Sequence, residues 1–216
     1  MRHLVFSVSL IAMLAMPTAK ANAQFYVGTM IGGGSTELVF SIADLLTDFR
    51  REAQDELTAS IVGGYEQTFA EYFFVGGEVY IDATTAFVSI GGPGYFYRFQ
   101  NNLQTGLNIL LGVNAGKAGV YVLGGPHWQY WENESFNWNA RAGDDYATFR
   151  EQKIFQGFQV GFGGRYIFEN GFGVRGEYRY ATARGKSDTP RVENSNLELT
   201  IDSPTHEFGL GVTYHF

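Results

Sequence analysis

The 216 residues contain no cysteine, so neither a disulfide framework nor a thiolate metal site can form. After the first sixteen residues no apolar run approaches the ~18 residues of a membrane-spanning helix. Basic side chains are also in short supply, 15 against 22 acidic, and such a chain lacks the electrostatic footprint of a nucleic-acid binder. Proline is scarce at 5, whereas glycine (28), phenylalanine (19) and tyrosine (13) are abundant. The aromatics, and glycines in no triplet register, exclude collagen-like and disordered readings.

The first 23 residues read as a processing signal. Arg2 and His3 precede an apolar run from Leu4 to Met16, Pro17 breaks it, and Ala21-Asn22-Ala23 supplies a cleavage site of the A-x-A kind. The expected arrangement is a cleaved secretory signal peptide over 1–23 and a single β-barrel domain over 24–216. That domain has 193 residues with thirteen basic and twenty-two acidic side chains, a net charge of −9.

Period-two alternation marks eight short segments. In 25–32, Phe25, Val27, Thr29 and Ile31 oppose Tyr26, Gly28, Met30 and Gly32. In 57–66, Leu57, Ala59, Ile61, Gly63 and Tyr65 share a face. The clearest, 72–83, sets Phe73, Val75, Gly77, Val79 and Ile81 against Phe74, Gly76, Glu78, Tyr80 and Asp82. Segment 105–113 carries Leu107, Ile109, Leu111 and Val113 on one side. In 119–130, Gly124-Gly125-Pro126 marks a bulge or an end. Segments 154–166 and 172–182 follow, and 208–216 is the eighth.

Connections of about five residues (67–71, 114–118, 167–171) alternate with connections of roughly twenty that hold most of the charge. This is the plan of an outer-membrane barrel. A soluble barrel would alternate too, but its polar face would carry Lys, Glu, Ser and Thr. Here glycine dominates that face, and Tyr and Phe gather near strand ends on the other, as an aromatic girdle does. The expected fold is all-β: an eight-stranded antiparallel up-and-down transmembrane β-barrel with short periplasmic turns and four long extracellular loops.

The chain ends on Phe208, Leu210, Val212, Tyr214 and Phe216, apolar at every second position up to the last residue. This ending resembles the closing strand of bacterial outer-membrane barrels, where such a pattern is the signal read by the barrel-assembly machinery. With Phe25-Tyr-Val-Gly28, Phe74-Val-Gly-Gly-Glu78 and Gly173-Val-Arg-Gly-Glu-Tyr-Arg-Tyr180, the chain resembles the small porin-like surface proteins related to the outer membrane protein A barrel, the X-type barrels and the opacity proteins. The resemblance implies a Gram-negative outer-membrane location. It also implies outer-membrane lipid, lipopolysaccharide and the assembly machinery as partners, and a host or surface ligand held by the loops.

Six charges fall on the expected inner face, Glu66, Glu78 and Glu177 against Arg165, Arg175 and Arg179. An eight-stranded interior has room only for side chains, and buried charges must be paired. A salt-bridge plug or a gated polar passage are the two readings, the plug being preferred. Glu78, Glu177 and Arg179 are expected mid-barrel, with Arg175, Arg165 and Glu66 beside the short turns.

Ser41, Asp44 and apolar residues at 42, 45, 46, 49 and 53 suggest a short amphipathic helix in the first loop, or a strand extension through 37–42 followed by a loop. The stretch from Trp131 to Arg150 offers Trp131, Phe136, Trp138, Tyr146 and Phe149 as a partner surface, or Trp128, Tyr130 and Trp131 as interfacial anchors. His206 with Glu207 is the one pair that could join a serine hydrolase site. Gly32-Gly-Gly34 and Gly91-Gly-Pro-Gly94 lack the Gly-Lys-Ser/Thr of a phosphate loop. No metal or cofactor is expected. The resulting expectation is a non-enzymatic barrel with a structural, adhesive or surface-interaction role. A narrow conduit for small or hydrophobic solutes, as in the W-type proteins, is the alternative, and a lipid A-modifying enzyme the third.

Overall fold

The structure, a computed structural model, describes residues 22–42, 45–51, 55–69, 72–92, 95–137, 149–188 and 198–216. All but Asn22 and Ala23 of the segment read as a signal peptide lies outside them. Every described element is a strand, namely β1 (Asn22–Thr36), β2 (Leu38–Ile42), β3 (Leu45–Arg51), β4 (Asp55–Phe69), β5 (Phe73–Thr84), β6 (Phe87–Gly92), β7 (Tyr95–Ala115), β8 (Ala118–Asn137), β9 (Phe149–Ile167), β10 (Phe172–Asp188) and β11 (Glu198–His215).

Eight of these run antiparallel in the order β1-β4-β5-β7-β8-β9-β10-β11, and β1 pairs β11 to close the ring. The closing seam runs from Tyr26↔His215 to Thr36↔Thr205, with Phe216 N–H donating to the Phe25 carbonyl at 2.9 Å. Closure leaves this ring no free sheet edge, which a chain without disulfides needs in place of cross-links. At the short-turn end Gly116 and Gly171 take left-handed backbone (φ 66° and 84°), a conformation that costs glycine nothing.

The outer face is an apolar belt. Val79, Ile109, Val160, Phe208 and Leu210 are among its exposed side chains, the faces lipid is expected to meet. On the inner face glycine has a specific job. Tyr26, Phe74, Tyr80 and Tyr121 each stand directly opposite a glycine on the next strand, respectively Gly64, Gly112, Gly106 and Gly163. Each ring lies on that glycine so closely that a Cβ there would collide with it. Glycine is therefore the socket that lets an interior aromatic lie flat on the wall, the pairing known as aromatic rescue of strand glycines.

Several expectations are corrected. Among the described residues of 38–51 there is no helix, and the alternative of a strand extension through 37–42 is met by β2. There β2 and β3 form a hairpin, Leu38↔Arg51 to Ile42↔Leu45, and β2 also pairs β11 through Ile42↔Leu199 to Val39↔Asp202. Hydrogen bonds to a neighbouring strand override a local helical spacing that was only five residues deep; Asp44 and position 53 lie outside the described residues. The interruption at Gly124-Gly125-Pro126 is partial, since β8 continues through it while its pairing with β7 lapses at Gly125 and Pro126. The register of β8 with β7 is the same on both sides, Gly106↔His127 and Ile109↔Gly124, and β9 pairs straight across it, Pro126↔Phe158.

Much of what reads as long loop is paired strand. A transmembrane strand needs about 9–11 residues, yet β7 has 21 and β8 has 20. With β6 adding to β7 (Phe87↔Gln100 to Gly92↔Tyr95), the wall rises well beyond the belt at the long-connection end. Inside this extension lies a buried apolar core with one residue each from β2, β6, β7, β8, β9, β10 and β11. These are Leu38, Val88, Phe99, Trp131, Phe155, Ala183 and Ile201. Trp131 is 1% exposed and stacked on Phe155 at 5.8 Å, so it is neither an interfacial anchor nor part of a loop surface.

Candidate functional site

The barrel lumen concentrates the titratable groups, and alternation along each strand decides which ones enter it. Lowest, near the short turns, Arg165 on β9 pairs with Glu66 on β4 and donates to Asn114 Oδ1 at 3.2 Å. His215 Nδ1 stands 4.0 Å from Glu66. One tier up, Arg175 on β10 holds Glu78 on β5 (2.5 and 3.3 Å) and its own strand neighbour Glu177. Tyr26 donates to Glu78 at 2.8 Å and Tyr121 to Glu177 at 2.5 Å. In the third tier Arg179 lies 3.1 Å from Asp82 and 2.8 Å from Glu207.

Each lumen arginine also lies over an aromatic ring, Arg165 on Phe74 (3.9 Å), Arg175 on Tyr121 (5.8 Å) and Arg179 on Tyr80 (5.0 Å). The rings seated on glycines thus hold the guanidinium planes as well as filling space. Arg175 departs from its expected place. Its side chain reaches up from near the turns to serve the middle carboxylates.

The expected balance of three acids and three arginines is incomplete. Glu56, Asp82 and Glu207 are buried in the same lumen, so six carboxylates share it with three guanidinium groups among the described residues. Asp82 stood on an inward position of segment 72–83, and Glu207 one step before the last segment in the same alternation. Glu56 lay just before the second segment, where the boundary hid it. It accepts hydrogen bonds from Thr36 (3.1 Å) and Thr84 (3.0 Å), with no arginine in contact among the described residues.

Neutral groups join the tiers. Asn108 donates to Glu78 at 3.3 Å, Gln159 to Asn108 at 2.5 Å and Tyr80 to Gln159 at 2.9 Å. With its one proton so used, the Tyr80 hydroxyl accepts from His127 Nδ1 at 2.6 Å. Higher still, Gln129 donates to Thr205 (3.3 Å) and Trp131 Nε1 to Gln129 (2.9 Å), tying the polar tiers to the apolar core above. A cavity of about 10 Å³ remains near the short-turn end, lined by Tyr26, Leu110, Tyr121, Arg165, Arg175, Thr213 and His215, room for about one water.

The outer face holds the remaining candidates. His206 faces outward and Glu207 inward, so they cannot serve one catalytic site. Phe208, Leu210, Val212, Tyr214 and Phe216 form one exposed stripe along β11 and beyond its end. Trp128 and Tyr130 are also on the outer face; Trp138 and Tyr146 lie outside the described residues. Above the belt Arg184 grips Asp202 through two hydrogen bonds, 2.5 and 3.0 Å, which raise its pKa further above the ordinary guanidinium value. Among the described residues no three His, Asp or Glu side chains could hold a metal ion.

Known folds resemble this one at low sequence identity. Ail, the attachment invasion locus protein of Yersinia pestis, is 11% identical over 88% of this chain and 98% of its own, with a TM-score of 0.43. OprG of Pseudomonas aeruginosa is 10% identical over 89% and 95%, TM-score 0.49. The outer membrane protease OmpT of Escherichia coli is 10% identical over 91% and 96%, TM-score 0.41. No curated protein matches the chain. Residues 6–216 match the family described as the outer membrane protein beta-barrel domain, and the chain, an outer-membrane β-barrel, belongs to that family.

Proposed function

We propose that this barrel is closed to solutes and non-enzymatic, and that it works through the wall and loops it raises above the membrane, in a structural, adhesive or surface-interaction role. The observation that carries this reading is the double seal. Charge tiers around Arg175 and Arg179 fill the membrane section, and the apolar core around Trp131 and Phe155 fills the section above. A solute would have to break buried ion pairs and then cross a buried apolar core, and each step is costly.

The supporting roles follow. The stripe ending on Phe216 serves as the assembly signal, and the six charges Glu66, Glu78, Arg165, Arg175, Glu177 and Arg179 act as a plug. Outer-membrane lipid and the assembly machinery are the partners this implies, with a surface ligand taken by the extracellular section. A narrow conduit is favoured by one observation, the buried polar atoms without a hydrogen-bond partner on Glu56, Thr58, Asn101, Gln104 and Ser203, which reach from the charge tiers up to the level of Trp131 and Ala183. Liposome swelling with small sugars and amino acids separates the readings. The sealed barrel leaves swelling at the protein-free rate, and solute-dependent swelling supports the conduit. Adhesion of cells with and without the protein then tests the surface role.

A further inference from the structure

On the outer face, Tyr178, Tyr180 and His206 make a polar cluster where the surrounding surface is apolar. Tyr180 and His206 stand directly opposite each other on β10 and β11, and the row below is Tyr178↔Phe208. The Tyr178 hydroxyl meets His206 Nδ1 at 2.6 Å, and the Tyr180 ring lies 4.8 Å from the imidazole. The Tyr178 hydroxyl occupies Nδ1 and leaves Nε2 without a protein partner among the described residues; in the tautomer whose Nδ1 accepts from that hydroxyl, the imidazole proton sits on Nε2.

The depth of the cluster is set by the strand. His206 is ten positions from Phe216; at ~3.3 Å per residue and a tilt of ~40° this is about 25 Å of height, the full height of the apolar band. The outward positions along the strands agree, because Phe208 below is belt, Pro204 and Thr182 come next above, and Asp202 and Arg184 one outward step further are charged. An exposed imidazole with Nε2 unpartnered among the described residues, framed by two tyrosines, thus lies at the level of the outer-leaflet head groups.

We propose that Tyr178, Tyr180 and His206 form a head-group site for a phosphorylated glycolipid, the lipid A of the surrounding leaflet. His206 Nε2–H donates to a phosphate oxygen, Tyr178 fixes the tautomer and Tyr180 offers a ring edge to the sugar. The proposal rests on the outer-membrane location and is independent of whether the lumen is sealed.

The test is native mass spectrometry of the full chain, refolded and titrated with bisphosphorylated or dephosphorylated lipid A. The wild type is expected to retain the phosphorylated form about tenfold better, the scale of one hydrogen bond to a charged acceptor. His206→Phe, which keeps the ring packing, should abolish that preference, and His206→Gln, which keeps an N–H donor, should preserve most of it. Tyr178→Phe should weaken it without abolishing it. A His206→Phe protein with the wild-type preference overturns the site. So does an equal loss for both lipids, which would mark apolar packing, or a changed oligomeric state with unchanged lipid retention, which would mark a protein contact.

Discussion

Two halves of strand β10 obey opposite rules. From Phe172 to Tyr180 the outward side chains are Phe172, Val174, Tyr178 and Tyr180, while Arg175, Glu177 and Arg179 point inward. Beyond Ala181 the faces exchange character. Arg184 and Lys186 are exposed, and Ala183 and Gly185 turn inward beneath Phe155. The strand keeps its period of two throughout, and only the solvent outside it changes. Where lipid surrounds the wall, apolar side chains belong outside and the lumen collects charges. Where water surrounds it, the apolar side chains move in and build the core that Trp131 and Phe155 anchor.

The comparison breaks most severely if assembly fails. Deleting Phe216 removes the last residue of the closing stripe and its bond to Phe25. The expected outcome is loss of heat-modifiable protein from the outer membrane and its accumulation in the periplasm; normal gel migration would contradict the signal role.

Next come the two interiors. Arg175→Ala strands Glu78 and Glu177 together, so urea unfolding from lipid vesicles should show a loss of at least about 3–5 kcal/mol. Glu78→Ala should cost less, because Arg175 keeps Glu177. Replacing all three by Met and Gln should recover most of the loss. In the upper section Trp131→Ala should cost about 3–5 kcal/mol through the cavity it leaves, and no second substitution of a charge should rescue it.

The outer faces give smaller effects and the sharpest contrast. Val79→Arg, in the middle of the belt, should cost about 2–4 kcal/mol, whereas Gln152→Arg, exposed above the belt, should leave unfolding unchanged. Smallest of all is Arg184→Ala. Its ion pair with Asp202 is exposed to water, so the urea midpoint should not move, in contrast to Arg175→Ala.

The lower half was the more legible in the sequence because lipid imposes a simple pattern. Phe73, Val75, Val79 and Ile81 alternate with Phe74, Glu78, Tyr80 and Asp82 without a fault, and the ending on Phe216 marks the closing strand. The upper half was hidden because its apolar and polar faces trade places. Trp131 there resembles a loop or interfacial aromatic unless the alternation is followed through the belt edge. A bulge between Asn101 and Leu103 further shifts the phase of β7, so that Asn101 and Gln104 both face inward.

The site was legible in part for a related reason. Glu66, Glu78, Arg165, Arg175, Glu177 and Arg179 stand out as charges on a glycine-rich face. Glu56 escapes because it precedes the recognisable segment, and no spacing reveals that Arg175 bridges two acids on different strands. The β2–β3 hairpin depends on β11, some 160 positions away, and its local spacing suits helix and strand alike.

The absence of cysteine makes the exchange of faces directly measurable with single nitroxide labels along β10. In lipid bilayers, labels at Val174 and Tyr178 should be relaxed by membrane-dissolved oxygen, and labels at Arg184 and Lys186 by a water-soluble nickel complex. Labels at the inward Ala181 and Ala183 should be reached by neither. Strong relaxation of the Ala183 label by the aqueous complex would show an open upper lumen and contradict the buried core on which the sealed-barrel account depends.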